Sequence, residues 1–234
     1  MSASISAMLY DVTLKSKTES PRAPGAVSGP RAQKSLTLKG HRTRAALVQA
    51  GRQVFEDQGF LNARIGDIAK AAGVAHGGFY HYFDSKEAVF REAAMQVVGE
   101  IFDASRTPPG EAEDPVASIE AANRRFLLAW ERNAPILAVL DQVATFNDEF
   151  RDLWRSIRRL FVERAERGLI LLQSEGRADP TLDAHVAASA LGGMVENFAR
   201  SWFLHGEAFD REVAIATLTR LWAQAIGLTD APGR

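Results

Sequence analysis

The chain has 234 residues; 46% are hydrophobic and 24% charged, an ordinary globular mix with enough length for a sizeable core. It contains no cysteine, which excludes a disulfide framework, a cysteine-held zinc or iron–sulfur site, and a thiol nucleophile. The net charge of −1 hides an asymmetry: residues 1–84 carry 11 Lys and Arg against 6 Asp and Glu, and residues 85–234 carry 17 against 23. A basic first third on an acidic remainder reads either as a polyanion-binding end or as chance, and motifs must decide.

No apolar run approaches the ~18 residues of a membrane span, and the first thirty residues hold no continuous apolar stretch of the secretory kind. A soluble cytoplasmic protein without a membrane partner is expected. Residues 1–38 are rich in Ser, Pro and Gly and are predicted to be a disordered basic tail. Lys15, Lys17, Arg22, Arg31 and Lys34 either trail along a nucleic-acid backbone or belong to an inert leader.

From Thr43 onward the apolar period is near 3.6, with no convincing stretch of period two. Leu47, Gly51, Val54, Phe55 and Gln58 share one helix face, and Gly59 stops that helix. Ile65, Ile68, Ala69 and Ala72 mark a second, shorter helix stopped by Gly73. A third is predicted over about His76–Tyr82, with Phe79 and Phe83 on its inner face. A fourth starts near Ser85 and carries Phe90, Ala94, Val97 and Ile101 as far as a break at Pro108-Pro109-Gly110. Asp114-Pro115 pairs a capping carboxylate with a proline at the first helical position. Pro135 is read as opening a separate short helix to about Thr145, and Asn147 as capping the next. Asp179-Pro180 repeats the cap–proline signal for a helix to about His205. Asp210 begins the last, stopped by Gly227. The prediction is an all-α fold of about nine helices: a helix-turn-helix domain over 39–84 and a helical body over 85–234.

The second and third helices, joined through Ala71-Ala72-Gly73-Val74-Ala75, have the form of a helix-turn-helix whose second helix enters the major groove of DNA. With Phe79 and Phe83 turned inward, His76, Gly77, Gly78, Tyr80 and His81 lie on or near the outer side. Two adjacent glycines are poor helix formers, each costing ~1 kcal/mol against alanine. They suit either a close approach to DNA or tight packing inside the domain.

Ile68-Ala69-Lys70-Ala71-Ala72-Gly73-Val74, Gly77-Gly78-Phe79-Tyr80-His81-Tyr82-Phe83 and Ser85-Lys86-Glu87 resemble the signature of the tetracycline-repressor (TetR) family, and Ala50…Phe55…Gly59-Phe60 is similar to that family's first helix. The resemblance implies DNA-backbone contacts from Tyr80, Tyr82 and Lys86, and places His76 where base edges can be read. It departs from the family just before the second helix, where Ala63-Arg64 stands in place of a capping Thr or Ser. Arg64 can neutralise a phosphate but cannot cap as an acceptor. Lys39, Arg42 and Arg44, read as lying ahead of the first helix, are either further backbone contacts or solvated charges.

The resemblance also implies a homodimer through the last two helices, which suits two reading heads ~34–36 Å apart on a pseudo-palindromic operator in double-stranded DNA. The small residues from Ala187 to Val195 either permit that close approach or serve packing within the chain. Phe126, Trp130, Phe146, Trp154, Phe161 and Trp222, with Met194 and Asn197, suit an apolar cavity with few polar anchors, although any one aromatic can equally be core. The body resembles actinobacterial repressors of ethionamide activation and of lipid or steroid catabolism. That resemblance implies a hydrophobic small-molecule effector and adds Gly192 and Val195 to the candidate lining.

No Gly-x-Gly-x-x-Gly, P-loop, Gly-x-Ser-x-Gly or His-Glu-x-x-His occurs, and the five histidines form no helix-spaced pair. No catalytic residue, metal site or cofactor is expected. The expected function is a ligand-responsive transcriptional repressor. The rival is an all-α ligand-binding or protein-interaction protein whose helix-turn-helix is structural.

Overall fold

The computed structural model describes residues 37–106 and 114–228. Residues 1–36 of the predicted tail and the Pro108-Pro109-Gly110 break lie outside them. Among the described residues there are eight helices: α1 Leu38–Asn62, α2 Ile65–Ala71, α3 His76–Phe79, α4 Lys86–Ala104, α5 Pro115–Phe146, α6 Asp148–Ser174, α7 Ala184–Phe203 and α8 Arg211–Ala225. Contacts divide the chain into two compact units, 1–96 and 97–234, and the division falls inside α4.

In the first unit, α1 begins earlier than its apolar stripe suggests, because Thr37 caps it by accepting from the Gly40 N–H at 3.2 Å. Arg42 and Arg44 therefore lie within the helix and not ahead of it. Near its far end the helix breaks at Gly59, where φ is +74°. An L side chain is strained there, and glycine lets the chain turn and bury Phe60. Phe55, Phe60 and Phe90 then form one aromatic cluster, with ring centroids 4.9 to 5.8 Å apart. Gly51 lets α1 and α4 meet: a Cβ there would stand 2.4 Å from Val89 Cγ1.

The second unit is built on α5 to α8. Asp114 caps α5 through the Val116 N–H at 2.9 Å, with Pro115 at the first helical position. The predicted break at Pro135 does not occur, which reduces about nine helices to eight. Pro135 removes one intrahelical donor, but Asn133, Ile136, Leu137, Val139 and Leu140 around it are all buried. Packing of that face outweighs the local cost of a proline, ~3 kcal/mol. Asn147 caps α6 as predicted. The cap–proline reading at Asp179-Pro180 is corrected. Asp179 closes a local turn onto Thr181, and Asp183 is the residue that caps α7, through the Val186 N–H. Asp210 caps α8 in the same way. Between α5 and α8, Arg124 holds Glu212 at 2.6 and 2.7 Å, Arg211 holds Glu131 at 2.8 Å, and a buried Asn123–Thr219 hydrogen bond fixes the register.

Candidate functional site

The helix-turn-helix is set by three local features. Arg64 precedes α2 with extended backbone and no side-chain cap, while its carbonyl accepts from Asp67 and Ile68. Gly73, at φ +67°, turns the chain, and the N–H groups of Ala72, Gly73 and Val74 close the end of α2 on Ile68, Lys70 and Ala69. Phe79 and Phe83, buried and 6.0 Å apart, then pin α3 to the unit. Burial of a phenylalanine side chain contributes ~1.5–3 kcal/mol.

This anchoring leaves His76, Gly77, Tyr80 and His81 exposed and Gly78 and Tyr82 half-buried. Tyr80 is 50% exposed, and its ring meets that of His76 edge-on at 5.7 Å. Arg64 and Arg42 are exposed. Two of the predicted contacts are already occupied. Arg44 pairs with Glu92 and lies over the Phe83 ring at 4.6 Å. Lys86 Nζ donates to the carbonyls of Phe60, Ala63 and Leu61 at 2.7, 3.1 and 3.3 Å and lies 4.7 Å from the Phe60 ring centroid. The predicted phosphate-binding lysine thus gathers the end of α1, next to the break at Gly59. Its partners lie 23 to 26 residues away, and no pattern in the sequence signals them.

The adjacent glycines differ. A Cβ on Gly78 would stand 2.9 Å from Val74 Cγ1, so Gly78 packs against the turn of the motif itself. A Cβ on Gly77 would meet nothing within 4 Å. Gly77→Ala is therefore expected to stabilise the folded chain by up to ~1 kcal/mol in urea denaturation. The same variant should bind DNA more weakly if the α3 backbone approaches the duplex there. Gly78→Ala should lose stability.

The second unit holds a partly open cavity of about 640 Å³. Of the ten residues predicted for it, seven line it: Phe126, Trp130, Trp154, Phe161, Gly192, Val195 and Trp222. Phe146 does not, and is 49% exposed near the end of α5. Met194 and Asn197 lie on the other side of α7, in a groove shared with Phe198, Phe209 and Leu218. Helical geometry gives the reason: Gly192 and Val195 are three apart and share a face, whereas Met194 and Asn197 are turned well away from it.

Aromatic content made part of the wall legible, but its charges were not. Arg158 reaches Glu196 at 3.5 Å and the Ser189 carbonyl at 3.1 Å, and lies over Gly193. Arg200 bridges Asp141 at 2.8 Å and Glu196 at 3.7 Å. Burial pushes the Glu196 carboxyl up, against the pull of Arg158, Arg200 and a hydrogen bond from Trp154. Arg164 donates to the Phe102 carbonyl and to Ser105 Oγ, both at 2.7 Å. Its guanidinium lies over the rings of Phe102 and Phe161 at 4.1 and 5.3 Å.

A helix-turn-helix with an exposed recognition face, joined in one chain to a helical body with an apolar cavity, defines a one-component DNA-binding regulator fold. Comparison with known proteins agrees. Residues 47–93 match the model of bacterial regulatory proteins of the tetR family, and residues 119–227 match the C-terminal domain of the transcriptional regulator EthR. The chain is 24% identical over 202 residues to the HTH-type transcriptional regulator EthR of Mycolicibacterium smegmatis, covering 84% of this chain and 92% of that protein. It is 26% identical over 178 residues to the HTH-type transcriptional regulator TtgR of Pseudomonas putida, covering 72% of this chain and 83% of that protein. Among solved structures, the fatty acid degradation regulator FadR from Bacillus halodurans aligns with a TM-score of 0.64 at 21% identity, over 84% of this chain and all of that one. Both units of the chain are thus similar to transcriptional regulators of the tetR family.

Proposed function

We propose that this regulator is a repressor that binds a pseudo-palindromic operator as a homodimer in the cytoplasm and is released by a hydrophobic small molecule. The observation that carries the reading is the exposed face of α3 and of the turn that follows it, where the helix predicted to Tyr82 stops at Phe79: His76, Gly77, Tyr80 and His81 are outward while Phe79 and Phe83 hold the segment from behind. Phenol and imidazole groups donate to phosphate and base edges. Arg42 and Arg64 supply exposed positive charge in the same unit. An apolar cavity of about 640 Å³ falls within the size range of small-molecule sites. Val186 on α7 and Val213 and Leu221 on α8 are exposed apolar side chains, as suits the dimer contact typical of the family.

The signal would run through α4. That helix is continuous from Lys86 to Ala104, and its Val98 and Ile101 belong to the cavity wall. An occupant that favours one placement of α4 biases the reading heads. Coupling of this kind typically amounts to ~1–3 kcal/mol, a 5–150-fold change in affinity.

The test is selection of binding sites from random duplex DNA with the purified full chain, repeated with Tyr80→Ala. An inverted repeat enriched by the wild type and lost in the variant is the expected result. No enrichment from folded, dimeric protein would favour a protein-interaction role instead.

A further inference from the structure

Four arginines lie on the cavity wall: Arg106, Arg158, Arg164 and Arg177. Three have carboxylate partners among the described residues. Arg106 pairs with Asp103 at 3.6 Å, Arg158 with Glu196 at 3.5 Å and Arg177 with Glu175 at 3.8 Å. Arg164 differs. Its recorded partners are a carbonyl, a hydroxyl and two aromatic rings, and no carboxylate among the described residues stands within ion-pair distance. A guanidinium has five N–H donors in a planar fork suited to a carboxylate, and only two hydrogen bonds are recorded for this one. Burial first, then the nearby Arg106 and Arg167, push Arg164 down to about 10 against the opposing pull of Asp103, so it still carries its charge at neutral pH. A desolvated cation with no carboxylate in direct contact is costly, since Asp103 acts on Arg164 only from a distance and is itself paired with Arg106, and an incoming anion relieves that cost.

We infer that the occupant of this cavity is an apolar molecule bearing a single carboxylate, and that the carboxylate docks on the Arg164 guanidinium. The rest of the molecule lies against Phe126, Trp130, Phe161 and Trp222. Ser105 Oγ, which accepts from Arg164, itself donates to the Ile101 carbonyl at 2.8 Å. Phe102 and Ser105 stand at the end of α4, so an anion on Arg164 competes with the bonds that finish that helix. The inference deepens the ligand-responsive reading and rests on it.

The test is isothermal titration calorimetry of the full chain with three probes of equal chain length: dodecanoate, methyl dodecanoate and dodecyltrimethylammonium. A charge-assisted hydrogen-bonded pair predicts dodecanoate binding at least ten-fold more tightly than the ester. Arg164→Gln should remove that preference, read as the ratio of acid to ester affinity within the variant. The acid–ester comparison on wild-type protein needs no variant, so a misfolded Arg164→Gln would not blunt it. Equal affinity of acid and ester overturns the assignment of the head group but leaves an apolar effector site. Tightest binding by the ammonium overturns it in favour of Glu196 as the anchor. Absence of binding by all three, with protein that still selects an operator, overturns it as well. Operator selection in the same preparation separates each of these results from failure of the DNA-binding reading.

Discussion

Lys86→Met is expected to destabilise the N-terminal unit by about 2–3 kcal/mol, read as a lower urea midpoint at unchanged slope. Three carbonyls converge on one ammonium at the end of α1, two of the three bonds being partly buried. Methionine keeps much of the stem's packing on Phe60 but offers no donor, so water must reach carbonyls that the fold half covers. Lys86→Arg separates this clamp from the phosphate role that family resemblance implies. A planar guanidinium serves a phosphate at least as well as lysine does, but it cannot aim three donors at carbonyls gathered around one point. A clamp therefore predicts that arginine leaves stability low. A direct phosphate contact predicts that arginine restores DNA affinity, and that methionine reduces the slope of log K against log salt by about 0.9.

Gly51→Ala is expected to cost about 1–3 kcal/mol, although alanine is the better helix former by up to ~1 kcal/mol. The added methyl would stand 2.4 Å from Val89 Cγ1, and Val89 is fully buried on α4 beside Phe90. A β-branched side chain has little rotameric freedom on a helix, so α1 and α4 must separate to accept it. The check is the double variant Gly51→Ala with Val89→Ala. Removing the two γ-methyls should recover most of the loss, giving a coupling energy of about 1 kcal/mol or more between the sites. Additive losses would mean that the helices yield elsewhere and that Gly51 is not the point of closest approach.

Much of this architecture can be read from the chain because its helices announce their own starts. Asn147 and Asp210 cap where their side chains predict, and Asp114-Pro115 adds a proline at the first helical position. Those signals are local, and they fail where a local motif has two solutions. Asp179-Pro180 can begin a helix or close a turn. Here the turn forms, since the Asp179 N–H is taken by the Ile226 carbonyl at 2.9 Å. Pro135 is misread for the complementary reason: the packing that carries the helix through it comes from distant residues.

Which residues of the helix-turn-helix face outward was legible because Phe79 and Phe83 repeat at helical spacing and are buried. The cavity was half legible. Large aromatics advertise apolar space, but which face of α7 meets it depends on helix rotation, and Met194 and Asn197 were on the other one. The polar wall was silent. Arg164 meets Phe102 across 62 positions, and Arg158 meets Ser189 across 31, separations at which sequence periodicity carries no information.

The chain has four tryptophans, and Trp130, Trp154 and Trp222 line the cavity. The fourth, Trp202, instead stacks on Phe203 with ring centroids 4.7 Å apart. Indole emission follows local polarity, so the natural fluorescence of this protein is weighted toward the space an occupant would fill. Replacing Trp202 with phenylalanine would leave an unlabelled protein whose tryptophan emission comes entirely from the cavity wall. Filling that space could then be followed in real time, without a dye and without DNA.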